Sequence, residues 1–182
     1  MNQPMPSITS QHLVLTAIGK DKTGLVSELT GLVSECSCNI LDSKMARFGS
    51  EFTMIMLLSG DSSSLTKLEL QLPQLAMQLN LLTMMKRTSA HHSKEQPQYL
   101  INVDGPDQAG TIKKLTSFFA ENNIDIRSLK SQTKIENDTP WQYAKIVIDL
   151  SNDTNLSTLT DGIASICAPL HVQHSFKPIT IE

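Results

Sequence analysis

The chain has 182 residues, of which 40% are hydrophobic, 18% charged and 4% aromatic, and its net charge is −3. This composition is typical of a globular protein, and its acidic balance argues against direct binding of nucleic acid, which favours Lys and Arg clustered on one face. The first eleven residues lack the basic start and apolar run of a signal peptide, and the apolar run MIMLL is too short to span a bilayer. We therefore expect a cytoplasmic protein.

Strand and helix patterns alternate along the first half. The run HLVLTAI, which ends at Gly19, predicts a strand. Apolar residues at helical spacing predict a helix from about Gly24 to Cys36. Two strand-like runs joined by Gly49-Ser50 predict a hairpin. A leucine stripe then predicts a second helix with a kink or restart at Pro73, and LLTMMKRT predicts the closing strand.

The second half repeats this order 86 residues later. Aligning Asp21–Ile40 with Asp107–Ile126 gives six identities in twenty positions without a gap, which indicates an internal duplication. The second copy differs in the longer connection IENDTPW between its two central strands. Its second helix is expected to end at Pro169.

The element order strand, helix, strand, strand, helix, strand occurs twice. This order predicts an α+β protein of two ferredoxin-like βαββαβ domains. Each domain is then an antiparallel four-stranded sheet with two helices on one face. The predicted organisation is an N-terminal tail 1–11, a first domain 12–88, a linker 89–97 and a second domain 98–182. The linker SAHHSKEQP is short and polar and ends in proline.

The repeated Gly-x-Asp-x-x-Gly stretch lies where a strand ends and a helix begins. A helix start exposes unpaired N–H groups and the positive end of the helix dipole, and glycine there lets a carboxylate approach the backbone. Asp21 and Asp107 have two interpretations: each caps its helix, or each accepts a hydrogen bond from the ammonium group of a ligand. Asn39 and Asp125 follow at the start of the next strand.

Both halves resemble the ACT domain in this turn, in the helix that follows and in the Asn/Asp-Ile strand start. Within the tandem ACT-domain proteins, the first half is most similar to repressors of the glycine cleavage system, through QHLVLTAIGKDKTGLV, CSCNILDSKMARFGSEFTMIMLLSG and MMKRT. One departure is that ACT turns often read Asp-x-Pro-Gly, whereas Thr23 and Ala109 occupy the proline position. A residue with a free N–H changes the stiffness and donor count of the turn.

The resemblance implies amino-acid binding where the loop of one domain meets the strand of its neighbour. The implied contacts are Asp21, Lys22, Thr23, Gly24 and Leu25 with Asn39 and Ile40, and Asp107, Gln108, Ala109, Gly110 and Thr111 with Asp125 and Ile126. Because Asn39 can donate a hydrogen bond whereas ionised Asp125 only accepts one and repels a carboxylate, we expect unequal sites, with glycine favoured at Asn39.

The same resemblance implies a repressor that senses a small amino acid, glycine above all, and acts by contact with a LysR-type activator without touching DNA. A homo-oligomer through ACT pairing is compatible with it. The alternative is an amino-acid-sensing allosteric subunit that docks on a metabolic enzyme. No Gly-x-Ser-x-Gly motif, Gly-rich phosphate loop or Cys/His signature appears, so we expect neither an enzyme nor a cofactor.

Three cysteines cannot all pair, and we expect Cys36, Cys38 and Cys167 to be buried reduced thiols. The Cys-x-Cys spacing lacks the two-residue spacer of a redox or zinc pair. His91-His92 in the linker and His171-x-x-His174 near the last strand come without other clustered ligands. We therefore expect no metal site.

Overall fold

The computed structural model describes residues 11–89 and 96–179. Internal contacts divide the chain into two units, Met1–His92 (unit 1) and Ser93–Glu182 (unit 2). Most of the predicted tail and linker, including His91-His92, lies outside the described residues. The boundaries 12–88 and 98–182 for the two domains stay a prediction.

Unit 1 contains six elements in βαββαβ order. They are β1 (Gln11–Lys20), α1 (Leu25–Glu35), β2 (Asn39–Phe48), β3 (Glu51–Gly60), α2 (Ser62–Leu79) and β4 (Leu81–Thr88). The strands form one sheet in the order β2-β3-β1-β4, with every neighbouring pair antiparallel.

Unit 2 repeats the order. Its elements are β5 (Gln98–Pro106), α3 (Thr111–Glu121), β6 (Asp125–Glu136), β7 (Thr139–Asp149), α4 (Leu156–Cys167), a 3-10 turn (Ala168–Leu170) and β8 (Gln173–Ile179). The sheet order is β6-β7-β5-β8, again antiparallel throughout. The predicted α+β fold class, two ferredoxin-like βαββαβ domains, is confirmed.

Each unit has its own apolar core between its sheet and its helices. Strand side chains alternate between faces, and in β1 the buried Leu13, Leu15 and Ala17 lie on the helix side. The first helices bury matching positions 86 residues apart, for example Leu29 in α1 and Leu115 in α3. The sheet side away from the helices is called the open face of each unit.

The structure bears on two local expectations. Helix α2 runs through Pro73 without a restart, whereas the alternative, a kink there, stays a prediction. Pro73 is exposed, so water can satisfy the carbonyl that loses its partner on that side. The stretch IENDTPW is not a long connection, because β6 and β7 extend through it to a two-residue turn at Asn137-Asp138. Both turn residues have positive φ, 46° and 61°, which Asn and Asp tolerate and which suits the twist of a hairpin.

Candidate functional site

The Asp21–Gly24 turn connects the end of β1 to the start of α1. The amide of Asp21 donates to the carbonyl of Ser50 at 2.9 Å, which ties the turn to the β2–β3 hairpin. The first regular helical bond runs from the amide of Glu28 to the carbonyl of Gly24 at 3.0 Å. The amide of Leu25 donates to the carbonyl of Lys22 at 3.5 Å. The amides of Val26 and Ser27 therefore form the unpaired start of the helix, where the positive end of the dipole lies.

The Asp107–Gly110 turn of unit 2 has the same backbone pattern. The amide of Asp107 donates to the carbonyl of Pro140 at 2.9 Å, and the amide of Lys114 donates to the carbonyl of Gly110 at 2.9 Å. The residues that follow the glycines, Leu25 and Thr111, are buried. Their side chains face the core, so only their backbone is available to a ligand at the turn.

The two glycines of the motif have different roles. At Gly24 and Gly110, φ is 97° and 95°, a left-handed conformation that favours glycine. A Cβ at either position would meet nothing within 4 Å, so the space above the turn is open. At Gly19 an added Cβ would lie 2.7 Å from the carbonyl oxygen of Asn80, and at Gly105 it would lie 2.9 Å from Cα of Val172. The first glycine therefore permits close packing, and the second forms the turn.

Neither aspartate caps its helix, so that interpretation is wrong for this structure. The residues at the cap positions are Gly24 and Gly110, which have no side chain to accept a hydrogen bond from a helix amide. Real side-chain caps occur at the second helices: Asp61 accepts from the amide of Ser64, and Asn155 accepts from the amides of Ser157 and Thr158. The first helices thus keep their initial amides free of side-chain caps.

In unit 1, Asp21 pairs with Arg47 near the end of β2. The distance from Nη1 of Arg47 to Oδ2 of Asp21 is 3.2 Å, and the arginine side chain is 69% exposed. This ion pair partly neutralises the carboxylate at the turn. Because it is exposed, it is also easily rearranged when another charged group arrives.

In unit 2, the equivalent contact is uncharged. Oγ1 of Thr133 donates to Oδ2 of Asp107 at 2.9 Å. Thr133 lies 26 residues after Asp107, the same separation that joins Arg47 to Asp21. Sequence reasoning did not select either residue, although this repeated 26-residue spacing was a signal that could have found them. Among the described residues, no cationic side chain forms an ion pair with Asp107.

An open depression lies against the turn of unit 1. It is lined by Asp21, Lys22, Gly24, Leu25, Val26, Ser27, Met45 and Phe52. In unit 2 a depression begins at Gly110 and follows α3 towards α4, past Lys113, Lys114 and Phe118. Both place backbone donors of a helix start beside open space.

Asn39 and Asp125 lie at the other end of their own units from the turns. Strands β1 and β2 both run antiparallel to β3, so they are parallel to each other, and β2 must start at the end where β1 started. From Glu51, beside the turn, to Ser59, beside Asn39, the chain makes eight strand steps, or roughly 26 Å. A single unit therefore does not bring the two halves of a predicted ligand set together.

All three cysteines are free thiols, with Cys36 and Cys167 buried and Cys38 half-buried. Burial raises the pKa of each thiol, so the unreactive protonated form dominates at neutral pH. Within residues 11–89 and 96–179, no group of three His, Cys, Asp or Glu side chains is arranged to hold a metal ion. In that same part of the chain, no helix combines the length and apolar character that a bilayer crossing requires.

Comparison with known families identifies the two units. One family model described as ACT domain matches residues 11–86, and a second matches residues 99–161. The chain belongs to the ACT-domain family. Because the two matches follow one another, it is a tandem ACT-domain protein.

Whole-length relatives are found among characterised proteins and solved structures. The chain is 35% identical over 177 residues to the glycine cleavage system transcriptional repressor of Escherichia coli K12, covering 95% of this chain and 93% of that protein. The crystal structure of a candidate glycine cleavage system transcriptional repressor aligns with a TM-score of 0.76 at 37% identity, covering 95% of this chain and 99% of that one.

A protein of unknown function from Galdieria sulphuraria has the same fold, with a TM-score of 0.76 at 20% identity, covering 94% of this chain and 99% of that one. The ACT domain is a regulatory type of domain, and the characterised relative is a repressor. These similarities support a regulatory, non-enzymatic role.

Proposed function

We propose that this chain is a cytoplasmic repressor of the glycine cleavage system that senses a small amino acid, glycine above all, and acts by contact with a LysR-type activator. The observation that supports the proposal most is the 35% identity to a repressor of that system over 95% of this chain. The acidic net charge of −3 agrees with action through a protein partner.

The turns have the chemistry that a zwitterion needs. Unpaired amides at the start of α1 and α3 can donate to a carboxylate, and the helix dipole favours a negative charge there. The carboxylates of Asp21 and Asp107 lie in the same turns and can accept from an ammonium group. Open space above Gly24 and Gly110 lets a ligand with a small side chain approach the backbone.

A complete ligand set requires more than one ACT unit under this proposal. Asn39 and Ile40 lie roughly 26 Å from the turn of their own unit, by the strand rise and the register of β2 and β3. A ligand held at a turn therefore meets these residues only if another ACT unit supplies them. This matches the resemblance, in which the loop of one domain meets the strand of its neighbour.

The two turns are expected to differ in affinity. Asn39 offers both a donor and acceptors, whereas Asp125 repels a carboxylate when ionised. The turn carboxylates differ as well, because Asp21 is paired with Arg47 while Asp107 accepts only from Thr133. We keep the expectation that glycine prefers the set containing Asn39, with its carboxylate on the Asn39 side.

The affinity of such a site has an upper limit. Glycine has five heavy atoms, and at about 1.5 kcal/mol per atom the binding free energy cannot exceed roughly 7.5 kcal/mol. The dissociation constant is then a few micromolar at best. To act as a switch, the ligand must bind one domain arrangement more tightly than another.

Isothermal titration calorimetry of the full chain with glycine, alanine and serine tests the sensing step. We expect glycine to bind, and Asn39→Ala to weaken binding more than Asp125→Ala. Gly31→Ala is a matched control, because its added Cβ meets nothing within 4 Å and it lies away from both turns. Equal losses from the two main variants contradict the unequal sites, and no heat with any amino acid contradicts the sensor.

Affinity purification of the tagged chain from cell extract tests the partner. Recovery of a LysR-type activator supports the repressor, and its release by glycine links the two steps. Recovery of a metabolic enzyme in its place supports the alternative, an allosteric subunit that senses an amino acid.

A further inference from the structure

The open face of unit 1 is apolar at its centre. Four large hydrophobic side chains there are exposed: Ile18 by 40%, Ile55 by 45%, Leu82 by 77% and Met84 by 66%. Val14 and Leu57 lie beside them and are half-buried. All six alternate with core residues along their strands, so they lie on the side away from the helices. Hydrophobic side chains gathered on one exposed surface indicate an interaction site.

Strand register arranges this open face as a grid of rows across the sheet. Reading from β2 to β4, the three central rows are Asp42-Leu57-Val14-Lys86, Lys44-Ile55-Thr16-Met84 and Ala46-Thr53-Ile18-Leu82. A register shift between Ile40 and Asp42 places Asp42 on the open face, in the row of Leu57. One row therefore carries an acid at one edge of the sheet and a base at the other.

Rows made mostly of polar residues bound the apolar centre at both ends. Beyond the Asp42 row lie Asn39, Ser59, His12 and Thr88, and beyond the Ala46 row lie Phe48, Glu51 and Lys20, with the Phe48 side chain 68% exposed. A groove lined by Val14, Asp42, Lys44, Ile55 and Leu57 runs beside β2 on the same face. An apolar centre with a mostly polar rim is a feature of a protein–protein interface.

We propose that the open face of unit 1 binds the same face of a second copy of this chain, with a two-fold axis parallel to the strands. This axis places β2 of one copy over β4 of the other, row by row. Asp42 of each copy then faces Lys86 of the other, and Met84 of each copy faces Lys44 at the edge of the groove. The face is thus complementary to itself in charge.

Asp42 and Lys86 of one unit are too far apart to pair with each other, so an ion pair between these residues requires a second copy. Asp42 and Lys86 lie on the two edge strands, three strand spacings or roughly 14 Å apart. Neither takes part in an ion pair within the described chain. Packed sheets cross at about 30°, which displaces the facing edge positions by roughly 4 Å, within the reach of a lysine side chain.

The area is sufficient for a reversible dimer. Four strands about 4.8 Å apart and the five rows named above, about 6.7 Å apart, give each face about 640 Å². Two copies bury about 1,300 Å², near the lower limit for a specific interface. The dimer should therefore form and dissociate with concentration. It uses the face of the sheet and leaves its edge strands free, so it is separate from pairing of ACT domains side by side.

Reversing the charges tests the geometry. By sedimentation velocity of the full chain over a range of concentrations, the wild type is expected to shift from monomer to dimer. Lys86→Asp and Asp42→Lys are each expected to raise the dissociation constant of the dimer at least tenfold, since each turns two attractive contacts into two repulsive ones. The double variant restores both ion pairs, and its dissociation constant is expected to lie within threefold of the wild-type value. Both side chains are exposed, so the fold should be kept.

Two methionine substitutions, one inside the proposed interface and one outside it, test the apolar contact. Met84→Lys places a charge at the proposed interface and is expected to give a monomer at every concentration. Met77→Lys makes the same change on α2, where the side chain is 83% exposed, and is expected to leave the dimer unchanged. Circular dichroism of all variants checks that they are folded.

A wild type that stays monomeric at every concentration overturns the proposal, even if the open face captures a different protein. A dimer that Met84→Lys leaves intact also overturns it, because association then uses another surface. Failure of the double charge reversal to restore association contradicts the two-fold arrangement. None of these results depends on glycine binding, so the proposal stands or falls separately from the proposed function.

Discussion

At four equivalent grid positions, the open face of unit 1 is apolar where the open face of unit 2 is polar. By the register of the two sheets, the positions of Ile18, Ile55, Leu82 and Met84 in unit 1 correspond to those of Asp104, Lys145, Gln173 and Ser175 in unit 2. The polar face of unit 2 is partly satisfied within itself, since Nδ2 of Asn102 donates to Oγ of Ser175 at 3.0 Å. In unit 1 the same positions expose hydrophobic side chains to water, which favours covering them.

The helix-side faces, by contrast, stayed alike after duplication. Leu29 and Leu115 are both fully buried, and so are Leu15 and Ile101. Burial against the helices restricts size and polarity at those positions, because a lost methylene or an unpaired polar atom in the core is costly. Open-face positions carry no such restriction, so the two units could diverge there and at the turns. Four sets of substitutions test how far this division holds.

The largest effect is expected at the close-packed glycines that both units share. Gly19→Ala places a Cβ 2.7 Å from the carbonyl oxygen of Asn80, and Gly105→Ala places one 2.9 Å from Cα of Val172. Each is expected to lower the free energy of unfolding by about 2 kcal/mol through overpacking. Urea unfolding gives the loss, and hydrogen exchange shows which unit carries it.

Gly31→Ala is the control for the glycine comparison. Its Cβ meets nothing within 4 Å, and alanine is favoured over glycine in a helix by up to about 1 kcal/mol. A Gly19→Ala variant as stable as Gly31→Ala would mean that β1 and the segment before β4 are not packed as described.

The next effect concerns the arginine clusters, which differ between units. In unit 1, Nε and Nη2 of Arg87 donate to the two oxygens of Glu69 at 2.7 and 2.8 Å, and Nη1 donates to Gln11. These hydrogen bonds from Arg87 hold the pKa of Glu69 below its ordinary value. Arg87→Lys loses the paired geometry and is expected to cost about 1 kcal/mol, discounted for partial exposure.

The matched change in unit 2 is Arg127→Lys. There only Nε of Arg127 contacts the carboxylate of Asp149, at 2.8 and 3.0 Å, so we expect a loss of at most about 0.5 kcal/mol. Thermal unfolding of both variants at neutral pH measures the difference. Since the pKa of Glu69 is lowered on folding, the contribution of Arg87 is present above the unfolded pKa of about 4.3 and is lost as the pH falls through the folded value. An equal loss from both lysine variants contradicts the special role of the Arg87 cluster.

A smaller effect is expected from exchanging the residues that contact the turn carboxylates. Arg47→Thr gives the turn of unit 1 the uncharged partner found in unit 2 and frees Asp21 for a ligand ammonium group. An exposed ion pair is worth roughly 0.2–1 kcal/mol, so glycine binding should strengthen by up to about fivefold. Thr133→Arg should weaken binding at the turn of unit 2 by a similar factor. Calorimetry measures both, and weaker binding by Arg47→Thr would instead identify Arg47 as a group that holds the ligand carboxylate.

The smallest effect concerns the caps of the second helices. The pKa of Asp61 is lowered by hydrogen bonds to its carboxylate, first from the backbone amide of Ser64 and then from the side chains of Ser63 and Ser64. Its contribution to stability is therefore full above the unfolded pKa of about 3.9 and is lost as the pH falls through the folded value. Asn155 caps α4 without a titrating group, so this loss on acidification should be confined to unit 1.

Asp61→Asn keeps a capping side chain and removes the titration. Hydrogen exchange of α2 and α4 between pH 3 and pH 6 should show acid sensitivity in α2 of the wild type and its loss in the variant. Acid sensitivity that persists in Asp61→Asn would assign it to another group.

Much of the fold was predictable because both units repeat strong local patterns. The strand ending at Gly19, the helix beginning after Gly24 and the hairpin at Gly49-Ser50 each follow from a period of apolar residues and a turn residue. The sequence-based prediction was less accurate at prolines, where the local tendency to end a strand or helix competes with tertiary packing. The β6–β7 pairing extends the strands through Pro140, because sheet pairing outweighs the local preference. Helix α2 continues through Pro73 without a restart, because its buried residues on both sides of the proline keep it packed on the core.

The candidate site was only half predictable. The turn residues Asp21–Gly24 and Asp107–Gly110 were found from spacing, since a strand end and a helix start are local features. Their contacts with Arg47 and Thr133 depend on where β2 and β6 end relative to the turn, which is a matter of sheet register.

The sequence alone determined the duplicated βαββαβ order and the two glycine-containing turns, because both follow from local periodicity and backbone freedom. Only the tertiary structure decided which residues share a face or an end of the sheet. It placed Asp42 and Lys86 in one row, Asn39 far from the turn of its own unit, and the apolar residues of β1, β3 and β4 side by side. These relations join residues distant in sequence, and strand register, which local composition does not encode, sets them.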